Sequence, residues 1–169
     1  MVAALVHAEL YVKLAAGAKD RKDHFYLMMV LPLDGDAPIW SGRIPGGEQM
    51  AMAMSPDGAM IATGDEYGTA FLWRRDPANP SVWAGPQELP GHKGFITGAA
   101  FSRDGLPATS AADLTIRLWN GPTGAPVSTI PTQTKGRPQA IALRPDGGLL
   151  VMGGKNGEVK AWKPGPPPK

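Results

Sequence analysis

The chain has 169 residues, 43 % of them hydrophobic, which is enough for one domain with a substantial core. It contains no cysteine, which excludes disulfides, thiolate metal sites and thiol redox chemistry. The formal net charge of +2 is not gathered into a basic run, and no apolar stretch is long enough to span a bilayer as a helix, so neither a nucleic-acid-binding arm nor membrane insertion is expected.

The first residues, MVAALVHAEL, carry no positive segment and no clear cleavage site. No secretory signal is expected there, and the default location is the cytoplasm. Strands are expected near 8–17, 24–31 and 37–44. The cluster from Lys19 to Asp23 is mixed in sign and suits a solvated turn. The next strands are expected near 49–54, 59–64, 69–74 and 81–88. Met50, Met52 and Met54 alternate in the first of them, with the period of two that marks a strand. This alternation explains the methionines as core packing, without a soft-metal site. Further strands are expected near 95–101, 106–111, 115–120 and 125–130, then near 138–143, 148–153 and 158–163. Phe95, Thr97, Ala99 and Phe101 alternate in one of them, and Ala140 and Ala142 alternate with Ile141 and Leu143 in another. The tail 164–169 is rich in proline and cannot pair as a central strand.

These strands fall into a repeat. SPDGAMIATGDEYGTAFLWRR, SRDGLPATSAADLTIRLWN and RPDGGLLVMGGKNGEVKAWK share an x-Asp-Gly turn, an apolar run, a second turn, and a strand ending in tryptophan. Trp73, Trp119 and Trp162 lie 46 and 43 residues apart. A period of about 40–45 residues with four strands per unit is that of a propeller blade. A degenerate first copy is suggested by Ile39-Trp40-Ser41-Gly42 beside Val82-Trp83-Ala84-Gly85, with Val30 where the other copies have tryptophan. The expected organisation is a segment 1–163 of four units, approximately 1–45, 46–90, 91–133 and 134–163, followed by the tail. The fold class is all-β, with blades of four antiparallel strands named a to d from the inside out, in a partial propeller.

The stretch GHKGFITGAAFSRDGLPATSAADLTIRLWN resembles a unit of the WD-repeat family. That resemblance implies a structural tetrad of His92, Thr109, Asp113 and Trp119 held by hydrogen bonds inside one blade. The second unit keeps Thr63 and Trp73 but has Tyr67 at the Asp position and Gly-Glu for Gly-His. The fourth keeps Trp162, with Asn156 at the Asp position. An imidazole can bridge a carboxylate and a hydroxyl, and a buried indole N–H needs an acceptor. A catalytic triad of His92, Asp113 and Thr109 would need an exposed nucleophile and an oxyanion site, and nothing in the sequence supplies them. The three histidines, at 7, 24 and 92, lack metal-ligand spacing, and the glycine-rich segments at 64–68 and 153–157 lack the phosphate-loop pattern. No catalytic residue, cofactor or metal is expected.

The family resemblance implies a non-catalytic scaffold that binds proteins. Trp40 and Trp83, on the outermost strands, are candidate contact residues at the rim, although packing between blades would serve them equally. Glu66, Tyr67, Lys93, Phe95, Lys155 and Asn156 are candidates on the loops of one face. Four units make a short ring, the last lacks strand d and the first lacks a clear strand a. Residues 1–6 could supply one of these strands. The array is expected to be completed by a second copy of the chain, by a different subunit in a larger complex, or by a missing remainder of the gene. Two alternatives remain. A small-molecule site or active centre in the central channel would need titratable side chains on the inner strands. RNA binding would need Lys19, Arg21, Arg43, Arg74, Arg75, Lys93, Arg103 and Arg137 to share a surface.

Overall fold

The computed structural model describes residues 10–17, 25–32 and 40–163. Among them are fourteen strands and no helix. The strands are β1 (Leu10–Gly17), β2 (Phe25–Pro32), β3 (Trp40–Ile44), β4 (Gln49–Met54), β5 (Met60–Asp65), β6 (Ala70–Arg75) and β7 (Trp83–Leu89). They continue as β8 (Ile96–Phe101), β9 (Pro107–Ala111), β10 (Thr115–Trp119), β11 (Pro126–Pro131), β12 (Pro138–Leu143), β13 (Leu150–Gly154) and β14 (Val159–Trp162). Each strand lies where alternation and turn residues placed it. They form four antiparallel meanders, β1-β2-β3, β4-β5-β6-β7, β8-β9-β10-β11 and β12-β13-β14. The second and third sheets have the four strands of a full blade; the first and last have three among the described residues. The strand expected from 1–6, the cluster at 19–23 and the tail 164–169 lie outside the described residues.

Turn chemistry sets the hairpins. Each x-Asp-Gly turn closes with a bond from the glycine N–H to the carbonyl three residues earlier, Gly58 to Ser55, Gly105 to Ser102 and Gly147 to Arg144. All three glycines take positive φ, which lets the chain reverse into the next strand. Ser55 and Ser102 are buried, and their hydroxyls accept from the N–H of Met60 and Leu106 respectively. Innermost strands β4, β8 and β12 each carry a register shift near their start, at Met50, Thr97 and Gln139. The extra residue bends each inner strand at the same point of its unit.

The core lies between sheets, in three clusters. Met28, Val30 and Ile44 of the first sheet meet Ile61, Phe71, Trp73 and Trp83 of the second. Ala51, Ala62, Ala70, Leu72 and Leu89 of the second meet Ile96, Phe101, Ala111 and Trp119 of the third. Ala108, Ile116 and Leu118 of the third meet Leu150 and Met152 of the fourth, with Ile141 and Trp162 packed alongside. Strand alternation produces this division: along β6, Ala70 and Leu72 face one neighbour while Phe71 and Trp73 face the other.

Two expectations are corrected here. Val30 does not stand in the tryptophan position. Tyr26 pairs with Ile44 as Ala70 pairs with Leu89, so Met29 corresponds to Trp73 and Val30 turns towards the second sheet. Trp83 is not a rim contact but a core residue, only 5 % exposed. Trp40 packs edge-on against Trp73 at 5.6 Å between ring centroids and lies 6.2 Å from Trp83. An outer-strand indole is large enough to reach over the edge of its sheet and seal the gap to the next. Trp83→Ala should therefore cost about 3–5 kcal/mol of stability, as removal of a buried tryptophan does. Equilibrium denaturation would measure it; a loss below about 0.5 kcal/mol would return Trp83 to the surface.

Candidate functional site

His92 follows Gly91, whose φ of +130° turns the chain inward after the outer strand of the preceding unit. The imidazole lands against β9, whose five residues are all buried, and its own side chain is fully enclosed. Four side chains meet there in series. Trp119 Nε1–H donates to Thr109 Oγ1 at 2.9 Å, and Thr109 lies 2.9 Å from His92 Nε2. His92 Nδ1 lies 3.0 Å from Asp113 Oδ2. Asp113 also accepts from the backbone N–H of Lys93 at 2.9 Å and from the N–H and hydroxyl of Thr115 at 3.0 and 2.7 Å.

Charge fixes the direction of this relay. Burial lowers the His92 pKa and outweighs the Asp113 carboxylate, which favours the cation; Arg117 lowers it further. The imidazole is thus neutral, protonated at Nδ1 towards Asp113, with Nε2 accepting from the Thr109 hydroxyl. Burial opposes ionisation of Asp113, but the Lys93 N–H, the Thr115 hydroxyl and His92 together hold its pKa below the ordinary carboxylate value. Every polar atom of the relay is engaged, and the Thr109 hydroxyl has no path to a substrate. The three residues that resemble a triad therefore do structural work: they tie the loop before β8 to the β9–β10 turn. Among the described residues, no group of three or more His, Asp or Glu side chains is placed to hold a metal.

The second sheet solves the same problem differently. Asp65, at the end of β5, is fully buried and accepts from the N–H groups of Gly47, Tyr67 and Thr69 at 3.2, 3.0 and 2.8 Å. It ties loop to turn as Asp113 does, from a position two residues earlier in the unit. Tyr67, at the aligned position, points outward and is 72 % exposed. Asp65 went unassigned in the sequence because it sits inside a segment explained as a glycine-rich turn. Its signal was an ionisable residue ending a strand. With no histidine in this sheet, Thr63 Oγ1 and Trp73 Nε1 are buried without a hydrogen-bond partner. In the fourth sheet Asn156 Oδ1 accepts from the Glu158 N–H at 3.3 Å, and half-buried Trp162 packs against the third sheet.

The remaining surface candidates share one end of the sheets. Glu66 N–H donates to the Glu48 carbonyl, Ala112 N–H to that of Phe95 and Lys155 N–H to that of Arg137. The turn at Gly68 runs against Gly94, so the loop that carries Glu66 and Tyr67 meets the loop that carries Lys93 and Phe95. The Arg137 guanidinium lies 4.9 Å over the Phe95 ring. Glu66, Tyr67, Lys93, Phe95, Lys155 and Asn156 thus lie on neighbouring loops at one end of the sheets. Arg137 lies at the same end, although the sequence singles it out only among the cations that an RNA-binding face would need.

The family model "WD domain, G-beta repeat" matches residues 44–74 and 86–120, which overlap chiefly the second and third units. The chain is 29 % identical over 106 residues to guanine nucleotide-binding protein subunit beta-1 of Caenorhabditis briggsae, covering 62 % of this chain and 30 % of that protein. It is 33 % identical over 134 residues to telomerase protein component 1 of Rattus norvegicus, covering 75 % of this chain and 5 % of that protein. The Mus musculus protein of the same name is 32 % identical over 123 residues, covering 72 % and 4 %. The chain spans less than a third of the length of each of these relatives.

Loss of the imidazole leaves the Asp113 carboxylate short of a donor, so His92→Ala should cost about 1–3 kcal/mol in denaturant unfolding. An unchanged midpoint would refute the buried role. The network also sets a pH dependence. Folding lowers the His92 pKa, so the unfolded chain takes up the proton first as pH falls below about 6.5. Stability is full above that pH and declines below it. Asp113, also lowered, adds a second loss only in the acid carboxylate range. The Tm should fall between about pH 7 and pH 5.5, and more shallowly in His92→Ala; equal slopes would show that other groups carry the effect.

Proposed function

Since this chain carries WD40 repeats of the β-propeller kind, we propose that it is a non-catalytic assembly subunit that binds other proteins through the loop end of its sheets. One observation carries the proposal. Tyr67 stands 72 % exposed next to Glu66, at an end of the sheets whose loops are tied down by buried Asp65 and half-buried Asp113. An exposed aromatic on a rigid support offers a large contact area with little ordering cost. The Phe95–Arg137 pair extends that surface with a flat ring and a guanidinium, two groups enriched at protein interfaces.

The named relatives are, by their names, a subunit and a component, and we extend that role to this chain as a part of a complex. The partner is a protein, either a second copy or another subunit. The array is taken as one unit from 1 to 163, with repeats at about 1–45, 46–90, 91–133 and 134–163. Channel chemistry finds no support, because β4, β8 and β12 contain no ionisable residue. An RNA-binding face finds none either: Lys93 and Arg137 lie at the loop end, whereas Arg103 follows Ser102 in a turn at the other end of the third sheet.

Affinity capture with the immobilised chain tests the proposal. Tyr67→Ala should release bound proteins that the wild type retains, with Tm unchanged, since an exposed side chain contributes within about 0.5 kcal/mol. Equal retention by both, or retention of nothing by the wild type, would overturn it.

A further inference from the structure

Charge is unevenly divided at the loop end of the sheets. In the second sheet the exposed side chains there include Glu48 and Glu66. In the third and fourth they include Lys93, Lys135 and Lys155. The backbone sets these three lysines on adjoining loops. Lys93 precedes Phe95 by two residues, and the Arg137 guanidinium lies 4.9 Å over the Phe95 ring. Lys135 precedes Arg137 by two residues, and the Lys155 N–H donates to the Arg137 carbonyl at 3.0 Å.

The carboxylates at this end of the third and fourth sheets are already engaged. Asp113 takes the Lys93 N–H, both donors of Thr115 and the His92 imidazole. Glu158 accepts from Asn156 Nδ2 at 2.8 Å and lies 3.9 Å from Lys160 Nζ. Lys160 also donates to the carbonyls of Thr132 and Gln133, so its charge is turned inward. Lys93, Lys135, Lys155 and Arg137 form no ion pair among the described residues. Arg137 keeps its Nε buried without an acceptor. The loop that bears Lys135 and Arg137 is held in place. The buried Thr134 hydroxyl donates to the Gly136 carbonyl, and Gly136 is packed so closely on Asn156 that a Cβ would strike it. At the other end of these sheets the turns neutralise themselves: Arg144 lies 2.6 Å from Asp146, and Asp104 follows Arg103. Four positive charges thus share a fixed seat whose own carboxylates are spent.

We propose that the junction of the third and fourth sheets at this end binds an acidic segment of a partner protein. This proposal rests on the assembly reading above and gives the partner's chemistry. Carboxylates of the segment meet Lys93, Lys135, Lys155 and Arg137, and the guanidinium can hold one of them with two parallel hydrogen bonds. Opposite charge across the contact also steers the approach and sets its register. Two features favour a short run of Asp and Glu over a nucleic-acid strand. Phe95 is half-buried and capped by the guanidinium, so it offers no open ring on which a base could stack. The neighbouring loop carries Glu66, which repels the evenly spaced phosphates of a strand running on towards the second sheet.

Fluorescence anisotropy on the purified full chain at low ionic strength tests this, with a short fluorescein-labelled peptide of alternating glutamate and serine as the probe. The peptide should bind, the same peptide with glutamine for glutamate should not, and affinity should fall as added salt screens the contact. Lys93→Glu and Lys155→Glu together should weaken binding about tenfold, with Tm unchanged because both side chains are exposed. Arg103→Glu, at the other end of the third sheet, should leave the affinity as it is. Should the double reversal lower Tm, Lys93→Gln with Lys155→Gln takes its place and should weaken binding less steeply. Equal affinity for the two peptides, binding of neither, or equal weakening by Arg103→Glu overturns the inference. Tighter binding of an oligouridylate of matched charge overturns it as well, and would make this end a nucleic-acid face. Capture of proteins through Tyr67 is a separate readout, so a chain that ignores the acidic peptide yet releases captured proteins on Tyr67→Ala would sink this contact and leave the assembly role standing.

Discussion

The molecule depends on the indole that each of the last three units sends back towards the sheet before it. Trp73, Trp119 and Trp162 occupy the same place on the third strand of successive units, and each lies in the core shared with the preceding sheet. A sheet alone has no interior, since both of its faces need cover. The tryptophans make the gaps between sheets into interiors, and across from Trp119 the alanines of the second sheet let the backbones come close enough to exclude water. Most other features serve that contact: the bend at the start of each inner strand, the serines buried under the turns, and the loop tethers at one end.

The tethers show how different chemistries meet one need. In the third sheet a neutral imidazole links carboxylate, hydroxyl and indole in series, and no polar atom in it is left over. In the second, a carboxylate alone gathers three backbone N–H groups, which leaves Thr63 and Trp73 with unmet donors or acceptors. An unsatisfied buried group costs free energy, so the second sheet relies more heavily on apolar contact, including the Trp40–Trp73–Trp83 cluster.

Local signals were the most legible part of the sequence. Turn residues such as Pro56-Asp57-Gly58 act within a few residues, and alternation such as Met50-Met52-Met54 declares a strand wherever it lies, so the strands and their order could be placed. What was missed depends on contacts between sheets. Whether Trp83 faces solvent or a neighbour cannot be decided along one strand, because an outer strand offers both. Val30 and Met29 differ by one position, and that single step moves a side chain to the opposite face. Asp65 escaped because alignment by sequence matches positions, whereas the structure needs only a carboxylate within reach of three N–H groups. The pairing of Arg137 with Phe95 was hidden for the same reason, since its members come from different loops.

The unlike faces of the sheets also bear on how such an array can change over evolutionary time. Any unit that meets a neighbour with each of its two faces can be duplicated or deleted whole, and the faces left in contact are still of the kinds that pack together. A change of half a unit would instead set two faces of the same kind against each other. The number of blades is thus free to vary in whole steps, while the faces within each blade are bound together: a mutation that enlarges Gly64 must be answered at Ile96, in the next repeat along the chain.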